Sequence, residues 1–172
     1  MNTLRTPWCT LEPQVDEHAE EMFGVLSDPA IYEFERAPPI SLEQLAALYR
    51  RLETRTSADG REKWLNWVVR LPNQALAGYV QATVMQSGVA YVAYELGSKY
   101  WRQGIGSASV TAMMEELADK YDVRVFVAVL KAVNFRSTGL LKHLGFELLE
   151  AGTAAQYGPE SDEIVMVKIA DR

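Results

Sequence analysis

Tyr94-Glu95-Leu96-Gly97-Ser98-Lys99-Tyr100-Trp101-Arg102-Gln103-Gly104-Ile105-Gly106-Ser107 decides how this chain is read. A strand closes at Leu96, two glycines spaced by one residue follow, and a helix begins. Glycine lets the backbone approach a ligand, or turn with positive φ, without a Cβ in the way. The helix N-terminus behind it carries unpaired N–H groups and a partial positive charge. Together these make a place for an anion, above all a phosphate. A strand-to-helix turn that binds nothing has the same local pattern, and the glycines alone do not separate the two. A dinucleotide-binding fingerprint needs a third glycine where Ser109 stands and an acidic residue where the next strand ends in Lys131. A P-loop needs Gly-Lys-Ser/Thr, whereas Gly106 precedes Ser107-Ala108.

The helix after the loop is defined by Val110, Met113, Met114, Leu117, Ala118 and Tyr121, one apolar stripe at helical spacing, with Glu115 and Glu116 on solvent. The 172 residues imply one domain, 1–172, with 48% hydrophobic and 23% charged residues, an ordinary globular balance. A net charge of −6 argues against non-specific binding to nucleic acid or an anionic membrane and suits an amine-bearing partner. One cysteine, Cys9, excludes an internal disulfide, and two distant histidines, His18 and His143, speak against a metal site. With no apolar leader and no long apolar run, the expected location is the cytoplasm.

Working outward, residues 8–12 read as a first strand ended by Pro13, followed by a helix from about Gln14 or Asp16 to Leu26, stopped by Ser27-Asp28-Pro29. The segment 30–40 carries Tyr32, Phe34 and Glu35 before Pro38-Pro39 and reads either as a functional surface or as a rigid connector. Ser41-Leu42-Glu43-Gln44 is a capping box. It opens a helix with Leu42, Leu45, Tyr49 and Leu52 buried and Arg50, Arg51 and Arg55 solvated. Lys63–Arg70, Ala75–Gln86 and Val89–Leu96 form an antiparallel meander. Val123–Leu130, apolar nearly throughout, is a strand covered on both faces. Asn134-Phe135-Arg136-Ser137 opens a short helix that ends at Gly145. Phe146–Ala151 and Glu163–Ile169 are the last strands, joined by a loop. The fold class expected is α/β (α+β): a mixed, largely antiparallel sheet with helices on both faces.

On these residues the chain resembles the GNAT superfamily of acetyl-CoA-dependent N-acetyltransferases, and within it the RimJ/RimL-like branch. Leu26-Ser27-Asp28-Pro29 resembles the end of that branch's first helix, and Ala77-Gly78 the start of its third strand. Tyr100-Trp101-Arg102-Gln103-Gly104-Ile105-Gly106 resembles its pyrophosphate loop. Asn134-x-x-Ser137, followed by Leu140-Leu141-Lys142-His143-Leu144-Gly145-Phe146, resembles its next conserved segment. The resemblance implies acetyl-CoA as cofactor, held by Tyr94, Leu96, Gly97, Trp101, Arg102, Gln103, Gly104, Ile105, Gly106 and Ser107, with Asn134 and Ser137 along the pantetheine arm. It implies an amine acceptor, either a protein N-terminus or a small molecule; the 30–40 and Ala151–Asp162 loops are expected to form its site, with the aromatic and acidic Tyr32, Phe34 and Glu35 lining the mouth. It involves no nucleic acid, no membrane and no metal, and it leaves a homodimer open.

The family's chemistry is direct attack of the amine on the thioester, with backbone N–H groups stabilising the oxyanion where the strands at 89–96 and 123–130 splay. Two departures stand out. The position of a tyrosine that in many members protonates the leaving thiolate holds Leu141, and the position of a common catalytic glutamate aligns with Tyr91. Glu95 lies four residues on, on the same strand face because side chains alternate. Glu95, Tyr91 and Ser137 are therefore the candidate catalytic residues. The alternative is a catalytically silent CoA-binding or regulatory module of the same fold.

Overall fold

In the computed structural model, which describes residues 1–34 and 37–170, eight strands form one sheet in the order β1-β2-β3-β4-β5-β6-β8-β7. They are β1 (Leu4–Arg5), β2 (Thr10–Pro13), β3 (Glu62–Arg70), β4 (Leu76–Met85), β5 (Val89–Leu96), β6 (Val125–Lys131), β7 (Glu147–Leu148) and β8 (Glu163–Ile169). Five α-helices flank them: α1 (Ala19–Leu26), α2 (Leu42–Leu52), α3 (Ile105–Tyr121), α4 (Phe135–His143) and α5 (Ala151–Ala154). The mixed, largely antiparallel sheet with helices on both faces is as the sequence predicted.

The meander β3-β4-β5 pairs antiparallel along its length, and β6 runs antiparallel to β8 from Val125↔Ile169 to Lys131↔Glu163. Between them β5 and β6 make the one parallel pair among the described residues, joined over α3 as the long crossover that parallel strands require. That pairing covers only Val89↔Val125, Ala90↔Phe126 and Tyr91↔Val127. Beyond Tyr91, β5 stays with β4 as far as Leu96↔Gly78 while β6 stays with β8. The two central strands thus part in the middle of the sheet.

Alternation along the strands sorts the cores. On one face Leu65, Trp67, Val80, Ala82, Val92 and Phe126 pack against Val110, Met113, Met114 and Leu117 of α3 and Leu141 of α4. On the other, Val68 and Leu76 meet Met22 and Leu26 of α1 and Leu45 and Tyr49 of α2, while Val127 and Val165 sit under Ala154 of α5. The stripe predicted for α3 is the buried one: Met113 and Leu117 are wholly enclosed, which stabilises each by about 1.5–3 kcal/mol relative to exposure.

Several expectations change. The N-terminus holds a second, two-residue strand, β1, folded back on β2 through a turn in which Thr6 Oγ1 accepts from Trp8 N and Cys9 N at 3.2 and 2.9 Å. The first helix is shorter than expected, with a 3-10 turn at Asp16–His18 before α1. Leu42 is exposed, because it opens α2 before the helix reaches the sheet. Arg55 is not solvated. It lies beyond α2 with φ 62°, and its guanidinium donates to the carbonyl of Gln14. The strand read at Phe146–Ala151 shrinks to β7, which pairs with β8 at two positions only, and α5 with a further 3-10 turn, Ala155–Tyr157, replaces part of the loop. A strand so short at the sheet edge carries too few ladder bonds to leave a periodic signal.

Candidate active site

The glycine loop leaves β5 under three restraints. Gly97 N donates to Ala77 O at 2.9 Å, Trp101 Nε1 donates to Leu96 O at 2.8 Å, and Ser98 N donates to Asp28 Oδ2 at 2.7 Å. Asp28 also accepts from Ala30 N at 3.0 Å, so the Asp-Pro that stops α1 ties that helix end to the loop. The hydrogen bonding from Ser98 holds the Asp28 carboxyl below the usual carboxylate range. Between Trp101 and α3 the backbone turns through Arg102, φ 60°, and Gly104, φ 80°. Ala108 N makes the first intrahelical bond, to Gly104 O at 3.0 Å. By helix geometry the N–H groups ahead of it, on Ile105, Gly106 and Ser107, have no acceptor within α3.

The two glycines do different work. A Cβ on Gly104 would meet nothing closer than Trp8 Nε1 at 3.8 Å, so the left-handed turn and open space explain it. A Cβ on Gly106 would stand 3.3 Å from Leu96 Cδ1 and 3.5 Å from Leu140 Cδ2. Gly106 is where α3, β5 and α4 close on one another. A third glycine, Gly78, sets the strand before the loop: with φ 154°, its added Cβ would fall 2.0 Å from Glu95 O.

Across the parting of β5 and β6, α4 supplies the other wall. Asn134 caps it, its Oδ1 accepting from Ser137 N at 3.0 Å, and Tyr94 OH donates to Ser137 O at 3.4 Å. Tyr94, Leu96, Gly97, Asn134, Ser137 and the stretch Trp101–Ser107 thereby lie at one end of the sheet, around the gap and the start of α3. Arg136, in the first turn of α4, stacks its guanidinium 4.7 Å from the Trp101 ring and 5.2 Å from those of Phe34 and Phe135. Its Nη1 is 2.6 Å from Glu33 Oε2. The segment 29–34 is thus fastened to α4 and the glycine loop through a residue that sequence reading passed over; its position two residues after Asn134 was the available clue.

Glu95 points to the opposite face from Tyr94. It lines a cleft of about 200 Å³ with Tyr79 and Gln81 of β4, Leu45 and Tyr49 of α2, Gln14, and Tyr32. Tyr32 places its ring there while its hydroxyl donates to Leu26 O at 2.8 Å. Phe34 packs edge-on against Phe135 at 5.4 Å, and Glu35 lies outside the described residues. Tyr91 is further down β5, edge-on to Tyr157 at 6.3 Å. Burial first, then Tyr157, raises its phenol above the ordinary value. Two surfaces therefore lie on opposite faces of the sheet near the end of β5: an N–H-rich loop on the α3–α4 side, and a cleft holding one carboxylate, Glu95, among its described lining residues on the α1–α2 side.

The arrangement has close structural relatives. A ribosomal protein L7/L12 α-N-protein acetyltransferase, RimL, in complex with coenzyme A, superposes with TM-score 0.83 at 19% identity, covering 99% of each chain. A ribosomal-protein-S5-alanine acetyltransferase from Vibrio fischeri gives 0.79 at 17%, covering 99% of this chain and 98% of that one. The microcin C7 self-immunity acetyltransferase MccE, bound to acetyl-CoA and AMP, gives 0.78 at 18%, covering 96% and 94%. At such identities the likeness is one of fold. No curated protein sequence matches. The family itself is carried by the sequence: residues 9–147, from just before β2 through the glycine loop to β7, match the acetyltransferase (GNAT) domain model, and the chain belongs to that family of acetyltransferases.

Proposed function

We propose that this protein transfers the acetyl group of acetyl-CoA to a primary amine, either a protein N-terminus or a small molecule, by direct attack. What supports this is N–H groups with no acceptor in α3 at the glycine loop, and a carboxylate-bearing cleft on the opposite face, both near the end of β5 where its pairing with β6 has stopped. Solved relatives of the same fold hold CoA or acetyl-CoA, and two are named for acetylating ribosomal proteins.

The residues fit the donor. N–H groups from Arg102 to Ser107 would take the pyrophosphate, with the Arg102 side chain adding charge, and Asn134 and Ser137 would face the pantetheine arm. Acetyl-CoA supplies an activated thioester. An α-amine has a pKa of about 7.7–8.0 and a lysine amine about 10.4, so the acceptor must lose a proton before attack. Glu95, in the acceptor cleft, is the group we assign to accept that proton, directly or through a water. Backbone N–H groups in the gap between β5 and β6 would face the oxyanion that forms as the amine adds; its collapse breaks the C–S bond and releases CoA as the thiolate, which takes a proton from solvent.

The test is thiol release from acetyl-CoA with a panel of amines and peptides, on the wild type and on Glu95→Gln. The variant keeps shape and hydrogen bonding but loses basicity, and should cost about 10²–10⁴-fold in kcat with acetyl-CoA affinity unchanged. Retained activity in Glu95→Gln would remove this residue from the mechanism. Acetyl-CoA binding without turnover of any amine would leave the silent module as the function.

A further inference from the structure

The acceptor cleft contains two polar groups that the fold itself leaves unsatisfied. Tyr49, on α2, is 3% exposed and its hydroxyl has no hydrogen-bond partner. Gln14, between β2 and the first 3-10 turn, is 2% exposed and its Nε2 has none either. Both residues line the cleft that also contains Glu95. Buried polar groups are nearly always paired, because an unpaired one forfeits its hydration for nothing. Two orphans in one small cleft are therefore informative, and neither polar atom is needed for packing. Phenylalanine would fill the Tyr49 position equally well, and the Gln14 backbone alone accepts from Arg55 and donates to Asn66 O at 2.9 Å.

The chemistry of the lining narrows what would satisfy them. Gln14 Nε2 only donates, and Tyr49 OH can donate as well as accept, so one acceptor oxygen would satisfy both. Among the described lining residues there is no lysine, arginine or histidine, and Glu95 supplies a negative charge. The described lining offers an anionic group no charge partner, whereas a neutral oxygen needs none. Glu95 in turn attracts an ammonium group. Its charge also reaches Tyr49, whose phenol is raised by burial first and by Glu95 second, so the hydroxyl keeps its proton and remains a donor. A cleft of about 200 Å³ equals about seven waters' share of liquid volume, room for an amine with a short head group.

Resting on the acetyl-transfer reading above, we propose that Tyr49 and Gln14 are acceptor-specificity residues. They hold a neutral oxygen, carbonyl or hydroxyl, borne next to the carbon that carries the attacking amine, and so select such amines over plain alkylamines and over amines bearing an adjacent anion. Both residues line the cleft while their polar atoms each have under 1 Å² accessible, so the occupant meets them as α2 and the Ala37–Pro39 segment adjust around it.

Three amines of similar size separate the possibilities: glycinamide, with a neutral carbonyl; propylamine, with none; and glycine, with a carboxylate. Their binding to the CoA-loaded protein is measured by calorimetry near pH ~7, where each amine is largely protonated. Glycinamide should bind best, and Tyr49→Phe and Gln14→Met should each weaken it about tenfold while leaving propylamine unchanged. Tyr49→Phe removes one buried unpaired hydroxyl and should fold at least as well as the wild type, so loss of structure cannot mimic the result. Propylamine binding as tightly as glycinamide, no detectable glycinamide binding, or Tyr49→Phe binding glycinamide normally would each overturn the proposal. Unchanged binding together with a raised Tm in Tyr49→Phe would mark the hydroxyl as a mere structural defect. The two readings fail separately. Glycinamide bound in the expected pattern, with neither it nor any other amine acetylated, sinks the acetyl-transfer reading alone, and propylamine acetylated as readily as glycinamide sinks this one alone.

Discussion

Gly78→Ala should damage the site from within the sheet. The added methyl would lie 2.0 Å from Glu95 O and 2.7 Å from Leu96 Cα, both main-chain atoms, and the residue holds φ 154°. Relief to ordinary contact requires β4 and β5 to separate by about 1 Å or more where Gly78 faces Leu96. Overpacking of this kind costs about 1–3 kcal/mol and the strained backbone about 1–3 more, so about 4 kcal/mol in all. For a chain of this length that is a fall in Tm of about 8–16 °C. The displacement begins at Glu95 and passes to Gly97, whose N–H bonds Ala77 O, so acetyl transfer should fall further than stability alone explains. Differential scanning calorimetry and thiol-release kinetics on the folded fraction measure the two effects. Gly139→Ala is the control: within α4 its methyl meets nothing within 4 Å, and it should stabilise by about 0.5–1 kcal/mol. A Gly78→Ala protein melting within about 2 °C of the wild type would refute the close approach of these strands.

Gly104→Val should cut acetyl-CoA affinity more than tenfold by calorimetry, with a stability loss of about 1–2 kcal/mol from the positive φ; unchanged affinity would displace the pyrophosphate from the loop. Asn134→Ala removes the α4 cap and should cost about 1 kcal/mol of stability. If the amide also faces the pantetheine arm, affinity measured on the folded fraction falls too, whereas a purely structural role leaves it normal. Asp28 titrates lower in the folded state than unfolded, so its contribution to stability is present above the ordinary carboxylate pKa and is lost as pH falls through the depressed folded value. Asp28→Asn should therefore flatten the acid limb of a urea-denaturation profile taken from pH ~6 to ~3, and an unaltered limb would show that the bond to Ser98 N carries no weight.

Local sequence determined the parts of this protein that rest on local chemistry. The α3 stripe, the Ser41 cap accepting from Gln44 N at 3.2 Å, Gly145 with φ 85° after α4, and the positive φ of Gly104 all follow from residues within one or two turns of themselves. The glycine loop was legible for the same reason, since strand end, turn and helix start are contiguous. What the tertiary structure decided is what lies between elements distant in the chain. Pairing of β5 with β6 stops at Tyr91↔Val127, because each strand is held by its other neighbour, and no residue pattern within either strand marks that point. Glu95 and Tyr94 are adjacent in sequence yet serve opposite faces, and only the packing of α2 shows which face carries the cleft. Tyr49 read as an ordinary core position on an amphipathic helix. That its hydroxyl lies unpaired beside Gln14 and Glu95 depends on three segments brought together by the folded sheet, and burial without a partner is a property that only three-dimensional packing can create.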